Sequence, residues 1–185
     1  MKKLVLIVLV ALVAGAATST ASAQGISVEL DFSYNQPGGD FSDIYAGGVG
    51  VSLHPRFNIN GKMAVGLNIG ANGFVGGDIE NASDPSLDTE ISAAGVVNVL
   101  GTFQYKLLDK KITPYGEMGI GMFKMRQGDV SADTGGDIQL EDKSYFGFAP
   151  KVGAMVGFLN VYAQYVAAGD LQYTQFGLGF RFGKK

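Results

Sequence analysis

The end of the chain alternates strictly between large apolar residues and small or polar ones. The apolar set is Phe176, Leu178, Phe180 and Phe182, and the set of opposite parity is Gln175, Gly177, Gly179 and Arg181. Successive side chains of a β-strand point to opposite faces, so this pattern predicts a strand over Leu171–Phe182 with one wholly apolar face. Such a face requires apolar surroundings, whereas two glycines and an arginine suit a crowded polar interior.

The same alternation occurs in seven earlier segments. The eight predicted strands are approximately Gly25–Tyr34, Ile44–His54, Lys62–Asn72, Glu90–Tyr105, Ile112–Met125, Tyr145–Phe158, Val161–Val166 and Leu171–Phe182. The pattern assigns a facing to every strand except the seventh. A chain that repeats short alternating segments between turn residues is predicted to be all-β.

The connections between the predicted strands alternate in length. Those after odd-numbered strands include two long acidic loops, Gly76 to Asp88 and Arg126 to Lys143, whereas those after even-numbered strands are short and often basic, as at Arg56. Outer-membrane barrels have this asymmetry, with short periplasmic turns and longer extracellular loops. An even number of strands closes the sheet without an edge, as a bilayer requires. The pattern therefore predicts an eight-stranded antiparallel up-and-down transmembrane β-barrel.

The first 23 residues have the composition of a signal peptide. Lys2 and Lys3 precede an apolar run from Leu4 to Ala14, and Ala21-Ser22-Ala23 has the small-residue pattern of a cleavage site. The apolar run is too short for a transmembrane anchor. We therefore expect residues 1–23 to direct export and residues 24–185 to form the barrel domain.

Composition narrows the classes of function. The 185-residue chain has no cysteine, so an exported domain must be stable without disulfides, as a closed barrel is. Acidic residues outnumber basic ones by 17 to 14, which disfavours nucleic acid as a partner because phosphate binding needs clustered lysine and arginine. No stretch after the signal approaches the ~20 apolar residues of a spanning helix, so any membrane crossing would use strands.

Five charged residues fall on faces predicted to point inward: Glu29, Asp31, Glu117, Lys151 and Arg181. An eight-stranded barrel is just wide enough to be filled by side chains, and charges buried there must pair. These residues therefore predict a structural polar network rather than an acid-base catalyst. The same filling disfavours a wide pore and leaves a narrow conduit as a lesser alternative. The apolar face from Phe176 to Phe182 is predicted to face lipid.

His54 is the single histidine, and Ser52 lies two residues away on the same face. A lipid-modifying enzyme built on a barrel would need such a pair, with an acidic residue, near the outer leaflet. His54 instead precedes Pro55 at the strand end assigned to the periplasm. The sequence therefore favours a histidine that flanks a turn, and it predicts no catalytic residue.

The two acidic loops carry carboxylates that could bind a cation, and several tyrosines lie near the strand ends. Neither loop follows the D-x-[DN]-x-[DN]-G calcium pattern, so we expect no metal and no cofactor. The loops are interpreted as solvated surfaces whose extracellular partner the sequence does not identify. Tyr34, Tyr45 and Tyr105 lie near strand ends on outward faces, which predicts anchoring at a membrane interface.

The segment TPYGEMGIGM (113–122), the ending GLGFRF, the export signal and the strand rhythm resemble the small outer-membrane β-barrel proteins of Gram-negative bacteria. These include OmpA-transmembrane-domain-like, OmpX-like and porin-family barrel domains, and the resemblance covers residues 24–185. It implies location in the outer membrane, contact with its lipid, insertion by the barrel-assembly machinery, and a structural or surface-interaction role. Such proteins often end on an aromatic residue, whereas here Phe182 is followed by Gly183-Lys184-Lys185.

Alternation alone does not determine which face of a barrel is inside. A soluble, secreted lipocalin-like barrel would turn the apolar face inward around a small apolar ligand. The glycines and the few charges on the other face favour the membrane, because a water-facing exterior is richer in lysine and glutamate.

Overall fold

A computed structural model describes residues 25–76, 78–79, 89–90, 93–108, 111–127, 130–132, 136–138 and 142–183. The predicted signal peptide and most of the two acidic loops lie outside these residues. The described chain forms eight long strands, which are β1 (Ile26–Pro37), β2 (Tyr45–Asn58), β3 (Met63–Gly76), β4 (Ala94–Lys106), β5 (Ile112–Gln127), β6 (Lys143–Val156), β7 (Leu159–Ala168) and β8 (Leu171–Gly183).

The eight strands close into a barrel. Each strand pairs antiparallel with its neighbours in sequence, and β8 also pairs with β1 from Ser27–Gly183 to Pro37–Tyr173. The strands β1, β3, β5 and β7 finish at one end of the barrel, here called the loop end, and β2, β4 and β6 finish at the other, the turn end. The predicted all-β, eight-stranded antiparallel up-and-down barrel is confirmed.

Two short strand pairs and one short helix occur in the loop-end connections. Asp78–Ile79 pairs with Thr89–Glu90, and Val130–Ala132 pairs with Gly136–Ile138. A 3-10 helix, Gly39–Asp43, follows β1 and buries Phe41. Within the described residues, no helix has the length and apolar character needed to cross a membrane.

The apolar side chains lie on the outside of the barrel. In β4 every second residue from Ala94 to Lys106 is buried, and the residues between them are exposed. All eight strands contribute large apolar side chains to the exposed set, including Phe32, Leu67 and Phe176. The interior positions carry carboxylates, amides, cations and aromatic rings. This arrangement is the reverse of a soluble barrel around an apolar ligand.

Strand β2 extends four residues beyond its predicted end. The prediction placed His54 at the strand terminus, but β2 continues through Pro55 to Asn58. The pairing with β3 is interrupted between Leu53 and Arg56, where proline has no N–H to donate, while β1 remains paired across the same residues. One intact ladder is enough to carry the strand past the proline.

The facing of Tyr45 differs from the prediction. The pairing of β2 with β3 shifts register between Tyr45 and Gly47, as at a β-bulge. A bulge adds one residue to a strand and therefore reverses the facing beyond it. Tyr45 is consequently buried inside the barrel and is not an interfacial anchor, whereas Tyr34 and Tyr105 are exposed.

The glycines of β8 make room for interior side chains. A Cβ at Gly177 would overlap the Tyr162 ring of β7, and one at Gly179 would overlap the Asp31 carboxylate of β1. Tyr162 and Gln164 point inward, which establishes the facing of β7 that alternation left open. The inward face of β8 carries glycines because the Tyr162 ring and the Asp31 carboxylate lie against it.

Candidate functional site

A cluster of charged side chains fills the barrel near the turn end. β1 contributes Glu29 and Asp31, β2 contributes His54 and Arg56, β5 contributes Glu117 and β6 contributes Lys151. All six residues are buried. Alternation on four different strands brings them together, because each occupies an inward position at a similar height in the barrel. We call these six residues the ionic cluster.

Arg56 connects the two glutamates. Its Nη1 lies 3.0 Å from Glu29 Oε2, and its Nη2 donates to Glu117 Oε2 at 2.8 Å. The same Nη2 lies 3.0 Å from His54 Nδ1. The planar guanidinium suits this role because it presents several donors in fixed directions to acceptors on different strands. Arg56 therefore links β1, β2 and β5 across the interior.

Lys151 forms the second link. Its Nζ lies 3.1 Å from Asp31 Oδ2 and 3.9 Å from Glu117 Oε1, and it also sits 4.0 Å from the centre of the Tyr162 ring. An isolated buried ammonium would be very costly, and the carboxylates and the aromatic ring compensate for the water that it has lost. The pair joins β1 to β6, which are separated in the barrel wall by β7 and β8.

Arg181 lies beside the ionic cluster rather than within its ion pairs. It donates from Nη2 to Ser27 Oγ at 2.8 Å and to Asn58 Oδ1 at 3.1 Å, and its Nη1 lies 2.9 Å from Met155 Sδ. The sequence grouped Arg181 with the carboxylates. In the structure its hydrogen bonds within the described residues go to neutral acceptors near the turn end.

Two members of the ionic cluster, His54 and Arg56, were missed by the sequence analysis. Pro55 was interpreted as the end of β2, so His54 was assigned to a turn and Arg56 to a basic connection. Both assignments are wrong. A signal was present, because Ser52, His54, Arg56 and Asn58 continue one polar face with the same two-residue period.

The geometry around His54 resembles a catalytic triad without the access that catalysis needs. Ser52 Oγ lies 3.1 Å from His54 Nε2, and Glu117 Oε1 lies 3.8 Å from His54 Nδ1. Asp31 Oδ2 and the Asn68 amide also contact Nε2, so this nitrogen is not reserved for the serine. The cavity beside Ser52 measures about 10 Å³, roughly the space that a cavity needs to hold one water. A cavity of this size does not admit an acyl chain.

Glu29, Asp31 and His54 have donor atoms within 4.8 Å of one another, a spacing that a metal ion could use. The neighbouring cations argue against that use. Arg56 lies 3.0 Å from Glu29 and Lys151 lies 3.1 Å from Asp31, so two positive charges already occupy the space around these carboxylates. The donor set fits internal ion pairing better than a divalent cation.

A layer of amides lies between the ionic cluster and the loop end. Asn35 Nδ2 donates to Asn72 Oδ1 at 2.9 Å, and Gln175 Nε2 donates to both Asn35 Oδ1 and Asn72 Oδ1 at 3.0 and 2.9 Å. Asn98 donates to Asn68, which continues the layer toward His54. These bonds cross the interior from β1 to β8 and β3, and they fill it with polar groups that satisfy one another.

Aromatic side chains close the interior at the loop end. The ring of Phe41 lies 4.6 Å from that of Tyr45, 5.0 Å from that of Phe74 and 6.4 Å from that of Tyr173. Phe41 comes from the 3-10 helix, so the connection after β1 folds back over the barrel mouth. We call these four residues the aromatic cap. Together the three layers leave no wide passage in the described part of the barrel.

The apolar face of β8 lies outward as its parity requires. Phe176, Leu178 and Phe182 are about half exposed, and Phe180 is partly covered by Phe32 and Phe158. No charged residue of β8 lies on this face.

No protein-family model matches this sequence, and no curated protein is significantly similar to it. Solved structures share its fold. The outer membrane protein OprG from Pseudomonas aeruginosa is 13% identical, with a TM-score of 0.58 over 88% of this chain and 97% of that chain. Neisserial surface protein A is 11% identical, with a TM-score of 0.56 over 89% of this chain and 100% of that chain.

Ail, the attachment invasion locus protein of Yersinia pestis, is 16% identical, with a TM-score of 0.51 over 87% of this chain and 100% of that chain. Identities this low establish a shared fold and leave function open. The resemblance inferred from the sequence is therefore confirmed in its architecture: this chain folds as a closed eight-stranded barrel like those of small bacterial outer-membrane proteins.

Proposed function

We propose that the chain is an integral outer-membrane β-barrel protein with a structural or surface-interaction role and no catalytic activity. The observation that carries this proposal is the apolar exterior. Large apolar side chains are exposed on all eight strands, while the charged side chains of the strands lie mostly inside. Water would not tolerate such a continuous apolar surface on a monomer, whereas the hydrocarbon region of a bilayer requires it.

Closure of the sheet supports the same placement. A bilayer offers no hydrogen bonds to an open sheet edge, and here β1 and β8 complete the ladder. The predicted signal peptide at residues 1–23 and the likeness of fold to proteins of the outer membrane add support for export to that membrane. The soluble lipocalin-like alternative is disfavoured, because the interior is polar and filled.

The structural or surface-interaction role is supported by the filled interior, which leaves no room for transport or for a substrate. The ionic cluster, the amide layer and the aromatic cap occupy the barrel from the turn end to the loop end, so the described part offers neither a conduit nor a substrate pocket. Within the described interior, the cavity beside Ser52 is too small to support the lesser alternatives, a narrow pore or a barrel enzyme. We assign the ionic cluster and Arg181 to holding the barrel wall together, with Phe176, Leu178, Phe180 and Phe182 in contact with lipid.

Three partners follow from this placement. Outer-membrane lipid would surround the wall, and the barrel-assembly machinery would insert the chain and meet the strand that ends in GLGFRF. The acidic loops would present a surface to the outside, and their partner has no chemical signature in the described residues.

Fractionation and gel mobility test the proposal together. We expect the protein to stay in outer-membrane fractions after a urea wash, and the purified protein to migrate differently with and without boiling because a closed barrel resists detergent until heated. Recovery in the soluble fraction, with no mobility change, would overturn the proposal and reopen the search for an apolar ligand.

A further inference from the structure

The barrel wall at the loop end is lower at β7 and β8 than at β5 and β6. The pairing of β6 with β7 reaches Phe148 with Ala167, whereas the pairing of β5 with β6 continues as far as Met125 with Lys143. From Phe148 to Lys143 the strand rises by about 16 Å, at ~3.3 Å per residue. The 3-10 helix Gly39–Asp43 stands across from this taller part of the wall, and a hollow remains between the two at the barrel mouth.

The hollow has a volume of about 140 Å³ and an apolar floor. Phe41 and Tyr45 of the aromatic cap form part of that floor, and Ile44, Met125 and Leu171 complete it. An apolar cavity of roughly 150 Å³ holds one benzene molecule, so the hollow has room for one phenylalanine or leucine side chain. Its lining contains no member of the ionic cluster or of the amide layer, so it is separate from the filled interior.

Tyr145 of β6 also lines the hollow, and the β7–β8 turn packs against its ring. Gly169 in that turn has a φ of +60°, a conformation that L side chains rarely adopt, and a Cβ there would lie 2.8 Å from the ring of Tyr145. The turn accepts the ring because residue 169 is glycine. The hollow is therefore shaped by packing between separate elements of the fold.

Three charged side chains line the hollow beside its apolar floor. Asp40 belongs to the 3-10 helix, Asp170 to the β7–β8 turn and Lys143 to the start of β6, and all three residues are exposed. Among the described residues, none of the three lies within 4.0 Å of an oppositely charged group, so they do not neutralise one another. Two free carboxylates next to an apolar floor suit a ligand that carries a large apolar group beside a cation.

The segments that connect the strands finishing at the loop end carry acidic residues and no basic ones. Segments 38–44, 77–93, 128–142 and 169–170 contain no lysine, arginine or histidine. Their acidic residues are Asp40, Asp43, Asp78, Glu80, Asp84, Asp88, Glu90, Asp129, Asp133, Asp137, Glu141, Asp142 and Asp170. Lys124, Arg126 and Lys143, at the adjoining strand ends, are too few to balance these carboxylates. The loop end therefore attracts a partner with several positive charges more strongly than one with a single charge.

We propose that the hollow, here called the mouth site, binds a cationic peptide segment of an external partner. One large apolar side chain of the peptide occupies the hollow, and neighbouring lysines or arginines donate charge-assisted hydrogen bonds to Asp40 and Asp170. Lys143 repels further cations on its own side, so the charges of the peptide lie toward the two carboxylates. This inference rests on the proposed outer-membrane placement, because the loop end must then face the outside of the cell.

Peptide binding to the purified protein in nanodiscs of phosphatidylcholine, a lipid without net charge, tests the mouth site. The probe is the fluorescently labelled peptide GKKFKKG, and binding is followed by fluorescence anisotropy. Asp40→Asn with Asp170→Asn should weaken binding roughly tenfold, if each carboxylate contributes about threefold. The matched control is Asp43→Asn with Asp142→Asn, which removes two exposed acidic residues that do not line the hollow. Both variants change the net charge equally, and the control should weaken binding by no more than about twofold.

Further comparisons test the apolar part of the mouth site. The peptide GKKAKKG, which lacks the ring, should bind about tenfold more weakly than GKKFKKG, because no large side chain enters the hollow. Ile44→Phe adds apolar volume to the floor, so it should weaken binding of GKKFKKG and leave that of GKKAKKG unchanged. Lys143→Gln should strengthen binding of both peptides about threefold by removing a like charge. Heat-dependent mobility of each variant shows that its barrel is closed.

The outcomes distinguish this inference from the proposed function. Equal losses of peptide binding in the Asp40/Asp170 and Asp43/Asp142 variants would overturn the mouth site, because the whole acidic end would then attract the peptide. Equal affinity for GKKFKKG and GKKAKKG would overturn it as well, since the hollow would be unused. Binding of 2-phenylethylamine as tight as that of GKKFKKG would contradict a peptide partner, because one amine would then suffice. Recovery of the wild-type protein from the soluble fraction would instead contradict the proposed function.

Discussion

Lys151 illustrates how a polar interior can be stable inside a barrel. Its ammonium is completely enclosed, and two carboxylates and the Tyr162 ring surround it. Removing a charge from water is costly, and only well-placed partners offset that cost. The six residues of the ionic cluster supply such partners from opposite walls. We infer that they matter less as a source of net stability than as links that fix how the strands face one another.

Breaking one of these pairs should be strongly destabilising. Lys151→Met leaves the buried Asp31 carboxylate without its cation and should lower the free energy of unfolding by roughly 3–5 kcal/mol. Adding Asp31→Asn to that variant removes the orphaned charge and should restore part of the loss. The chain has no tryptophan, so far-UV circular dichroism during urea titration of the refolded barrel measures the stability of both variants. Near-equal stability of the wild type and the single variant would show that the pair has no structural role.

The cost in stability of an arginine on the outer wall should depend on how deep in the bilayer its position lies. Leu178 lies near the middle of β8, and Leu178→Arg should cost roughly 2–4 kcal/mol if that face meets the bilayer midplane. Phe182→Arg, on the same face but near the turn end, should cost only about 0–1 kcal/mol. Unfolding in lipid vesicles gives both values. A soluble barrel would show no such dependence, because both positions would face water or both would face a ligand.

The element most informative about sequence-based prediction is β2. The strand count, the pairing order and the inward positions of Glu29, Asp31, Glu117 and Lys151 follow from a period of two, which the sequence displays directly. The position at which β2 ends does not follow from that period, because local preference alone predicts that Pro55 ends a strand. Pairing with β1 overrides that preference and places His54 and Arg56 inside. The outward facing predicted for Tyr45 was wrong for a related reason. The β-bulge between Tyr45 and Gly47 reverses the inward and outward positions of β2, and no residue type in the sequence marks that bulge.

The facing of β7 could not be predicted because both of its faces carry apolar residues and tyrosines. Tyr162 points inward against Gly177, whereas Tyr165 is exposed, and the two differ only by parity. The choice is made by β8, whose glycines leave space for a ring on one side only.

A substitution at Gly177 tests that packing. Gly177→Ala should lower stability by roughly 1–3 kcal/mol, because its Cβ would overlap the ring of Tyr162, which is itself buried. Tyr162→Leu should relieve much of the cost when combined with it. Gly73→Ala is the matched control, since a Cβ there has no neighbour within 4 Å. Equal losses for the two alanine variants would contradict the inward facing of Tyr162.

The 3-10 helix Gly39–Asp43 should be held in place by a single side chain. Phe41→Ala removes the ring that contacts Tyr45, Phe74 and Tyr173, so connection 38–44 should become sensitive to protease while the barrel keeps its heat-dependent mobility. Asp43→Ala changes an exposed residue of the same helix and should leave cleavage unchanged. Unaltered protease resistance of the Phe41 variant would show that the aromatic cap does not anchor this connection.

At the scale of the whole molecule, the barrel reverses the usual distribution of polarity. Charges, amides and an aromatic cap fill the inside, and an apolar band surrounds the outside, interrupted at the loop end by Lys124 and Arg126. The same sequence alternation would describe a soluble barrel with its faces exchanged. The folded barrel decides between the two, because its charged and amide side chains lie inside and its large apolar side chains lie outside, which favours a wall in contact with lipid.

Direct measurement of that contact is simple because the chain has no cysteine. Single cysteines at Phe176, Leu178 and Phe182 would each carry a spin label in a barrel reconstituted into vesicles, with Asp43 as a loop control. We predict that oxygen, which concentrates in hydrocarbon, relaxes the Leu178 label most strongly, and that a water-soluble nickel complex relaxes only the Asp43 label. Strong relaxation of the Leu178 label by the nickel complex would contradict a lipid-facing wall.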